Sequence, residues 1–505
     1  MTKVKKKKKF KLNNLLVLLC IISSLYLIYR IYQFGPIEPT IRYIIIGIIL
    51  LIDFIFFYKK QKIKGKKLIL FVMVIYIGFN AFMSLVIGKV YDAIDSINKS
   101  KVIYSTSLVT LSSNDNNDIE NINNCKIGII NDTLSIDNYV IANDIIKENK
   151  LDSNNEIKKY GDILDMLSDL YSEKIDYMFI SSNYQVMFST TDGYENIGNE
   201  LKVITTKDKS VAKNNSSNNS SVDGPFSILL MGVDSEKDGL KKNAYANGDS
   251  LILVTFNPDT YNATMMSIPR DSYLPITCRN NKKNKLTHAG WYGTDCMIET
   301  IEKTFNIDID YYVKVNFKGV VNLVDALNGV EVEVPKRLCT DNSDRMGNIC
   351  IEKGLQTLDG EHALVLARNR YDLALGDIGR GYNQQLLIRA MIKKLTTVRS
   401  VNQLLDIIDT VSNNLDTNLT TNEILSFYNI FKDMIKINRN DDGDVFNIEQ
   451  LKLEGTGKMV YFSNLKMKLW TYQLDKKSID EVSKAMRVNL DLRDPDYIKE
   501  FHFKP

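Results

Sequence analysis

The sequence predicts an α/β protein in three parts: three transmembrane helices, a small α/β accessory domain, and a larger mixed-sheet α/β domain. Three observations carry this. The chain opens on three apolar runs, each about long enough to cross a ~30 Å hydrocarbon core. Beyond them, two stretches alternate short β-type runs with runs of helical period. Charge is also split. Residues 1–67 hold 15 Lys+Arg against Glu38 and Asp53, a net of +13, and the remaining residues carry a net of −10. A basic head on an acidic body is a membrane signature, and an acidic body excludes nucleic acid as a partner. At 505 residues, 44% hydrophobic and 25% charged, the chain is neither disordered in bulk nor collagen-like.

The spans are read as Leu15–Tyr32, Ile41–Tyr58 and Leu68–Ile87. The first follows a basic MTKVKKKKKFK segment, but no small-residue cleavage site comes after it, so it reads as retained. Seven lysines precede the first span and six lie in KKQKIKGKK between the second and third, whereas QFGPIEPT has none. The positive-inside rule then puts the N-terminus and second loop in the cytoplasm and the bulk of the chain outside the cell. The domains expected are the basic tail and spans over 1–92, the accessory domain over 93–207, a Ser/Asn linker over 208–223 and the larger domain over 224–505.

Residues 93–125 are polar and Asn/Ser-rich. CKIGIINDT, DYMFISS and LKVITT read as strands, and DNYVIANDIIKENKL and YGDILDMLSDLYSEK have helical spacing. In the larger domain FSILLMGVD is a strand. DSLILVTFNP and NATMMSIPRD read as a hairpin about NPDTYN. Thr294–Phe305 reads as a helix and YYVKVNF as a strand. FKGVVNLVDALNG is a helix stopped at Gly329, and GVEVEVP is a half-buried strand. LDGEHALVLA and NQQLLIRAMIKKL are helices, and residues 400–505 are expected to complete the domain. The apolar stripes over 317–328 and 383–396 are candidates for a lipid-tail groove, with core packing as the ordinary alternative.

Charge gathers where these elements end. Asp234 ends the first strand, Asp249 begins the next, and Arg270 and Asp271 follow the third. Arg368 and Arg370 read as following a helix on an extended segment, where residues two apart point the same way. Asp377, Arg380 and Gln384 lie at i, i+3, i+7, one helical face. Arginine's planar fork suits phosphate, and carboxylates at strand ends suit Mg²⁺. With a membrane anchor these point to a pyrophosphate on a lipid, although such spacing more often marks surface salt bridges. His288 in KLTHAGWYG is a candidate for lining the site, His362 reads as packing, and His502 is near the terminus. No His/Cys cluster suggests zinc. Cys339 with Cys350, and Cys278 with Cys296, can pair outside the cell, with free thiols as the alternative.

The stretches ILLMGVDS, GDSLILVTFNP, MMSIPRDSY, KLTHAGWYG, VNFKGVVNLVDALNGVEVEVP, LDGEHALVLARNRY and GDIGRGYNQQ follow one another over about 160 residues, roughly 228–397. In kind and order they resemble the LytR-CpsA-Psr family of cell-wall glycopolymer ligases. Three spans, a small domain and then this domain resemble its capsule-assembly type. The resemblance implies an α/β/α fold. It also implies transfer of an anionic glycopolymer, teichoic acid or capsular polysaccharide, from undecaprenyl pyrophosphate to the 6-hydroxyl of N-acetylmuramic acid in peptidoglycan. By position it makes Asp234 and Asp249 the Mg²⁺-associated carboxylates. Arg270, Arg368, Arg370 and Arg380 match the arginines around the pyrophosphate, and Lys285, Asp377 and Gln384 match further polar site positions. Asn247 and Asn383 stand where the family usually has arginine, and Lys241 and Lys242 are candidates to compensate. Asp249 or Asp377 would take the hydroxyl proton. A lipid-pyrophosphate hydrolase and a non-catalytic envelope sensor are the competing readings.

Overall fold

The computed structural model describes residues 12–33, 39–59, 66–97, 101–212, 222, 224–233, 248–340, 349–398, 401–430 and 447–492, setting aside positions 134, 189, 190, 192, 421, 425, 428, 429 and 464. Asp234, Lys241, Lys242, Asn247 and His502, singled out above, lie outside these residues, as do the N-terminal lysines. The chain divides into two compact units, residues 1–96 with short later segments, and most of the rest.

The first unit holds helices α1 (Leu12–Gln33), α2 (Pro39–Lys59) and α3 (Lys66–Ile97). Each is long and apolar enough to cross a membrane. The third continues well past the expected Ile87. Where water is absent, polar side chains bond one another between helices. Here Asn80 Nδ2 donates to Ser24 Oγ at 3.0 Å, and Ser24 Oγ lies 3.0 Å from Tyr76 Oη.

In the second unit, residues 101–212 build a five-stranded sheet from β1 (Lys101–Leu111), β2 (Lys126–Ile130), β3 (Glu156–Tyr160), β4 (Tyr177–Ser181) and β5 (Leu201–Ala212), in the order β3-β2-β4-β1-β5. Helices α4 (Ala142–Glu148) and α5 (Ile163–Tyr171) come from the two runs read as helical, the first preceded by a wider turn over Ile136–Ile141. Two expectations are corrected. The polar stretch 93–125 contains β1, a strand paired on both sides. The linker expected from 208 begins later, because Asp208–Ala212 pair with Lys101–Ser105.

Two short helices, α6 (Tyr184–Phe188) and α7 (Ile197–Glu200), precede β5. The following residues form a six-stranded mixed sheet: β6 (Phe226–Val233), β7 (Gly248–Asn257), β8 (Asn262–Ser267), then, beyond the ribbon of β9 (Tyr273–Ile276) and β10 (Lys282–Lys285) and helix α8 (Thr294–Phe305), β11 (Tyr311–Asn316). Helix α9 (Phe317–Ala326) is followed by Gly329 at φ +80°. Strand β12 (Val330–Val334) buries alternate residues, as its pattern requires. It leads to the short β13 (Leu338–Cys339) and β14 (Cys350–Ile351), then β15 (Gly354–Leu358). Helices α10 (Gly360–Arg368), α11 (Gly376–Leu395) and α12 (Val401–Ser412) precede β16 (Leu415–Thr417) and β17 (Asn447–Leu451), the two edges of the six-stranded sheet, order β16-β11-β6-β7-β8-β17. A ribbon of β18 (Gly455–Phe462) and β19 (Met467–Leu474) and a helix Lys476–Asn489 close the described chain.

Helices cover both faces of this sheet. On one, Leu229, Leu253 and Met266 pack with Met297 and Ile301 of α8 and Val482 and Met486 of the closing helix. On the other, Gln385 and Gly381 of α11 bond Ser267 at the end of β8. The helix–sheet–helix layering fits the α/β/α expectation. The apolar stripes of α9 and α11 are core: Val324, Leu327, Leu387 and Ala390 fall in one buried cluster with β12 and α10. Cys278 pairs with Cys296 and Cys339 with Cys350, which leaves Cys20 and Cys125 as the free cysteines.

Candidate active site

A register shift sets the key carboxylate. Gly232 pairs with Ser250 and Val233 with Gly248, so Asp249 is the extra residue of a β-bulge between β6 and β7. Bulges re-aim a side chain out of the regular alternation. The Asp249 carboxylate is 9% exposed, and its Oδ1 accepts from Arg270 Nη1 at 2.5 Å. Asp249 Oδ2 is buried with no hydrogen-bond partner among the described residues.

Helix α11 supplies the facing wall. Arg380 Nη2 lies 2.6 Å from Asp377 Oδ1, one turn earlier, and donates to the backbone carbonyl of Asp249 at 2.8 Å. Gln384 Nε2 donates to the Ala367 carbonyl at 3.0 Å, and its Oε1 accepts from Ser250 Oγ at 2.7 Å. Asp249, Arg270, Asp377, Arg380 and Gln384 thus line one pocket, with Ile268, Tyr382, Leu451 and Leu453 among its apolar walls. The i, i+3, i+7 spacing delivers what it promised, and α11 starts at Gly376, seven residues earlier than read.

The charges shape one another. Burial alone would lower the Arg270 pKa, but the carboxylates of Asp249, Asp271 and Asp377 outweigh it and raise it. Arg380 goes the other way: burial pulls its pKa below the ordinary value, Asp377 opposes this, and Arg270 adds to it. Two cations are therefore held close together in a desolvated place, a disposition that favours an anion between them.

Other expected residues take different places. Lys285 Nζ pairs with Asp271 Oδ1 at 2.9 Å, behind Arg270, and is not a pocket wall. Arg368 is the last residue of α10 rather than part of an extended segment, with its guanidinium 4.4 Å from the Phe317 ring centroid. Arg370 donates from Nη2 to Tyr371 Oη at 2.7 Å and is near enough to Arg380 to lower its pKa. The two arginines thus lie over different rings, and neither lines the pocket. Asn383 is 3% exposed and at i, i+4, i+7 shares its helical face with the core residues Leu387 and Ala390, away from the pocket. His288 is buried, stacked on Trp291 at 3.8 Å and bonded through Nδ1 to Asn284 Oδ1 at 2.7 Å, so it packs beside the site rather than lining it. His362, read as packing, is instead at the α10 N-terminus, its Nδ1 2.6 Å from Asp359 Oδ1. Ser250 and Tyr382 were missed as site residues, although each is adjacent in sequence to one that was named and lies within one of the quoted motifs.

The LytR_cpsA_psr family profile matches residues 187–488, more than half of the chain. A Staphylococcus aureus protein of uncharacterised function is 39% identical over 207 residues, which are 40% of this chain and only half of that protein's length. The Bacillus subtilis polyisoprenyl-teichoic acid–peptidoglycan teichoic acid transferase TagU is 32% identical over 268 residues, 53% of this chain and 78% of TagU. Among solved structures, B. subtilis TagV is 28% identical with a TM-score of 0.44, covering 54% of this chain and 99% of that one. The family expected from the motifs is thus the one matched, and the chain belongs to the LytR-CpsA-Psr family.

Proposed function

We propose that this protein is a membrane-anchored phosphotransferase. It moves an anionic glycopolymer, a teichoic acid or capsular polysaccharide, from undecaprenyl pyrophosphate to the 6-hydroxyl of N-acetylmuramic acid in peptidoglycan. The observation that carries the reading is the pocket in which Arg270 and Arg380 flank Asp249, whose second carboxylate oxygen is buried and unpartnered among the described residues. The printed name of the relative TagU, a teichoic acid transferase to peptidoglycan, supports the substrate class. The lysine asymmetry supports an N-terminus inside the cell and a body outside it, within reach of donor and acceptor.

Asp249 Oδ2 fits a divalent cation. No group of three or more His, Cys, Asp or Glu side chains forms a metal cluster among the described residues. Mg²⁺ takes one or two carboxylates and completes its shell with water and substrate phosphate. Asp249 would hold it, with Asp234 as the second carboxylate of the proposal. Mg²⁺ so bound would neutralise charge on the pyrophosphate.

The chain's own groups account for the rest. Arg270 and Arg380 donate to the phosphate oxygens as charge spreads in the transition state. Arg370, near enough to Arg380 to lower its pKa, adds positive charge beside it. The acceptor hydroxyl oxygen forms a bond to the phosphorus beside the sugar, the phosphoanhydride P–O bond breaks, and undecaprenyl phosphate leaves. Asp249 and Asp377 are each paired with an arginine, and Asp377, the more exposed carboxylate at 20% against 9%, takes the hydroxyl proton. Gln384, fixed by Ser250 and the Ala367 carbonyl, holds the α11 wall at its distance.

The test is direct. Full-length protein purified in mild detergent should carry polyprenyl pyrophosphate detectable by mass spectrometry, and the paired variant Arg270→Ala/Arg380→Ala should not. Equal lipid on both would remove the pocket from the proposal.

A further inference from the structure

The ribbon β18–β19 presents large apolar side chains that neither the core nor the pocket uses. Met459, Tyr461 and Trp470 are 53%, 59% and 44% exposed. Their register puts them together: Gly457 faces Tyr472, Met459 faces Trp470 and Tyr461 faces Lys468, so all six share one side of the ribbon. Glycines let the rings lie down. A Cβ on Gly457 would sit 2.8 Å from Trp470 Nε1, and one on Gly455 2.8 Å from Tyr472 Cε1. The indole therefore lies across the neighbouring strand instead of standing out from it. Its centroid is 6.2 Å from that of Tyr472, with the planes 31° apart.

The ribbon that carries this face is tied to the active site. Tyr472 N donates to the Asp271 carbonyl at 2.9 Å, directly after Arg270, and Tyr273 meets Phe462 edge-on at 5.9 Å. Tyr472 is also close to Tyr382, a wall of the pocket: burial chiefly, then Tyr382 and Glu454, raises its pKa.

We infer that the face of Trp470, Met459 and Tyr461 is a stacking platform for the glycan strand of the acceptor. The inference rests on the reading that peptidoglycan is that acceptor. Pyranose rings carry apolar C–H faces, and an aromatic π-face is negative at its centre and meets such partial positive charge favourably. Lys468, on the same face, matches the carboxylates that peptidoglycan stem peptides bear. A bilayer contact would use rings that project, with their polar ends toward the interface, which a recumbent indole does not do.

The chain has two tryptophans, and the other, Trp291, is fully buried, so indole fluorescence of the full-length protein in detergent micelles reads the platform. Peptidoglycan glycan oligomers should shift the emission saturably and protect it from an aqueous quencher. Tyr461→Ala should weaken that binding about five-fold or more. Trp470→Ala, checked by thermal melt, should raise the KM for acceptor about five-fold more than the KM for donor. A saturable glycan response at Trp470 that is weakened in Tyr461→Ala upholds the platform whether or not transfer is seen. Transfer by the wild type with no glycan response at Trp470 overturns the platform and leaves the reaction standing. A response to phosphatidylglycerol vesicles with none to glycan overturns it in favour of a bilayer contact.

Discussion

Asp249 and Arg270 meet at 2.5 Å with their side chains only 9% and 15% exposed, joining the β6–β7 bulge to the turn after β8. Breaking a buried pair by removing one partner leaves an uncompensated charge and costs about 3–5 kcal/mol. Arg270→Ala should lose stability on that scale by denaturant titration, and Asp249→Asn in the same background should recover part of it.

Arg380 grips the Asp249 carbonyl and the Asp377 carboxylate, and in the proposed reaction it also serves the phosphate. Each charge-assisted bond contributes about 1.5–3 kcal/mol. Arg380→Ala should reduce transfer by about a hundred-fold, and Arg370→Ala, farther out, by about ten-fold. Arg370→Lys should restore only part, since an ammonium lacks the bidentate fork. Initial rates of glycan transfer at matched thermal stability check both.

His288 gives stability a pH dependence. Burial, and then Lys285 and Arg270, push its pKa well below the ordinary value, so the folded protein resists taking a proton that the unfolded chain accepts near pH 6.5. The unfolded state then binds more protons, and stability falls as pH drops below about 6.5, by up to ~1.4 kcal/mol per unit from this group. His288→Gln should flatten that part of the profile, read as unfolding free energy between about pH 7.5 and 5.5.

The Cys339–Cys350 bond closes a ring with ten residues between its ends. On the chain-entropy account it contributes about 2–3 kcal/mol. A non-reduced digest should contain the linked peptide, and the double Ser variant should melt correspondingly lower.

Much of this architecture is legible from residues alone, because burial imposes periodicity. Thr294–Phe305 reads as a helix to the residue, and the β7–β8 hairpin is announced by NPDTYN. Strand β1 is not legible, because its interior is built on hydroxyls: Thr106 Oγ1 donates to the Asp137 carbonyl at 2.5 Å, and Ser107 Oγ bonds Thr206 Oγ1 at 2.9 Å. The hydroxyl run Ser105–Ser107 splits its apolar residues, Val102–Tyr104 from Leu108–Val109, so the strand shows no clean alternation. In the site, Asp377, Arg380 and Gln384 follow from helical spacing. The bulge that aims Asp249 does not, since it depends on how two strands register. Arg368 was misplaced by a single residue of helix, within the ordinary fraying of a helix end.

The orientation of the body is tested apart from the chemistry. Protease added to intact protoplasts should digest the body and leave a small protected fragment containing α1–α3, and full protection would place the body inside the cell.

The central claim is that Arg270, Arg380 and Asp249 transfer a glycan phosphate to a peptidoglycan hydroxyl. The measurement is incubation of the full-length protein with a synthetic undecaprenyl-pyrophosphate-linked glycan, peptidoglycan oligomers and Mg²⁺, with both products followed by mass spectrometry. The account predicts a phosphodiester-linked glycan on peptidoglycan, one undecaprenyl phosphate released per transfer, and loss of both with Arg380→Ala. Release of free glycan phosphate with no peptidoglycan product, or undiminished transfer by Arg380→Ala at matched stability, would contradict it.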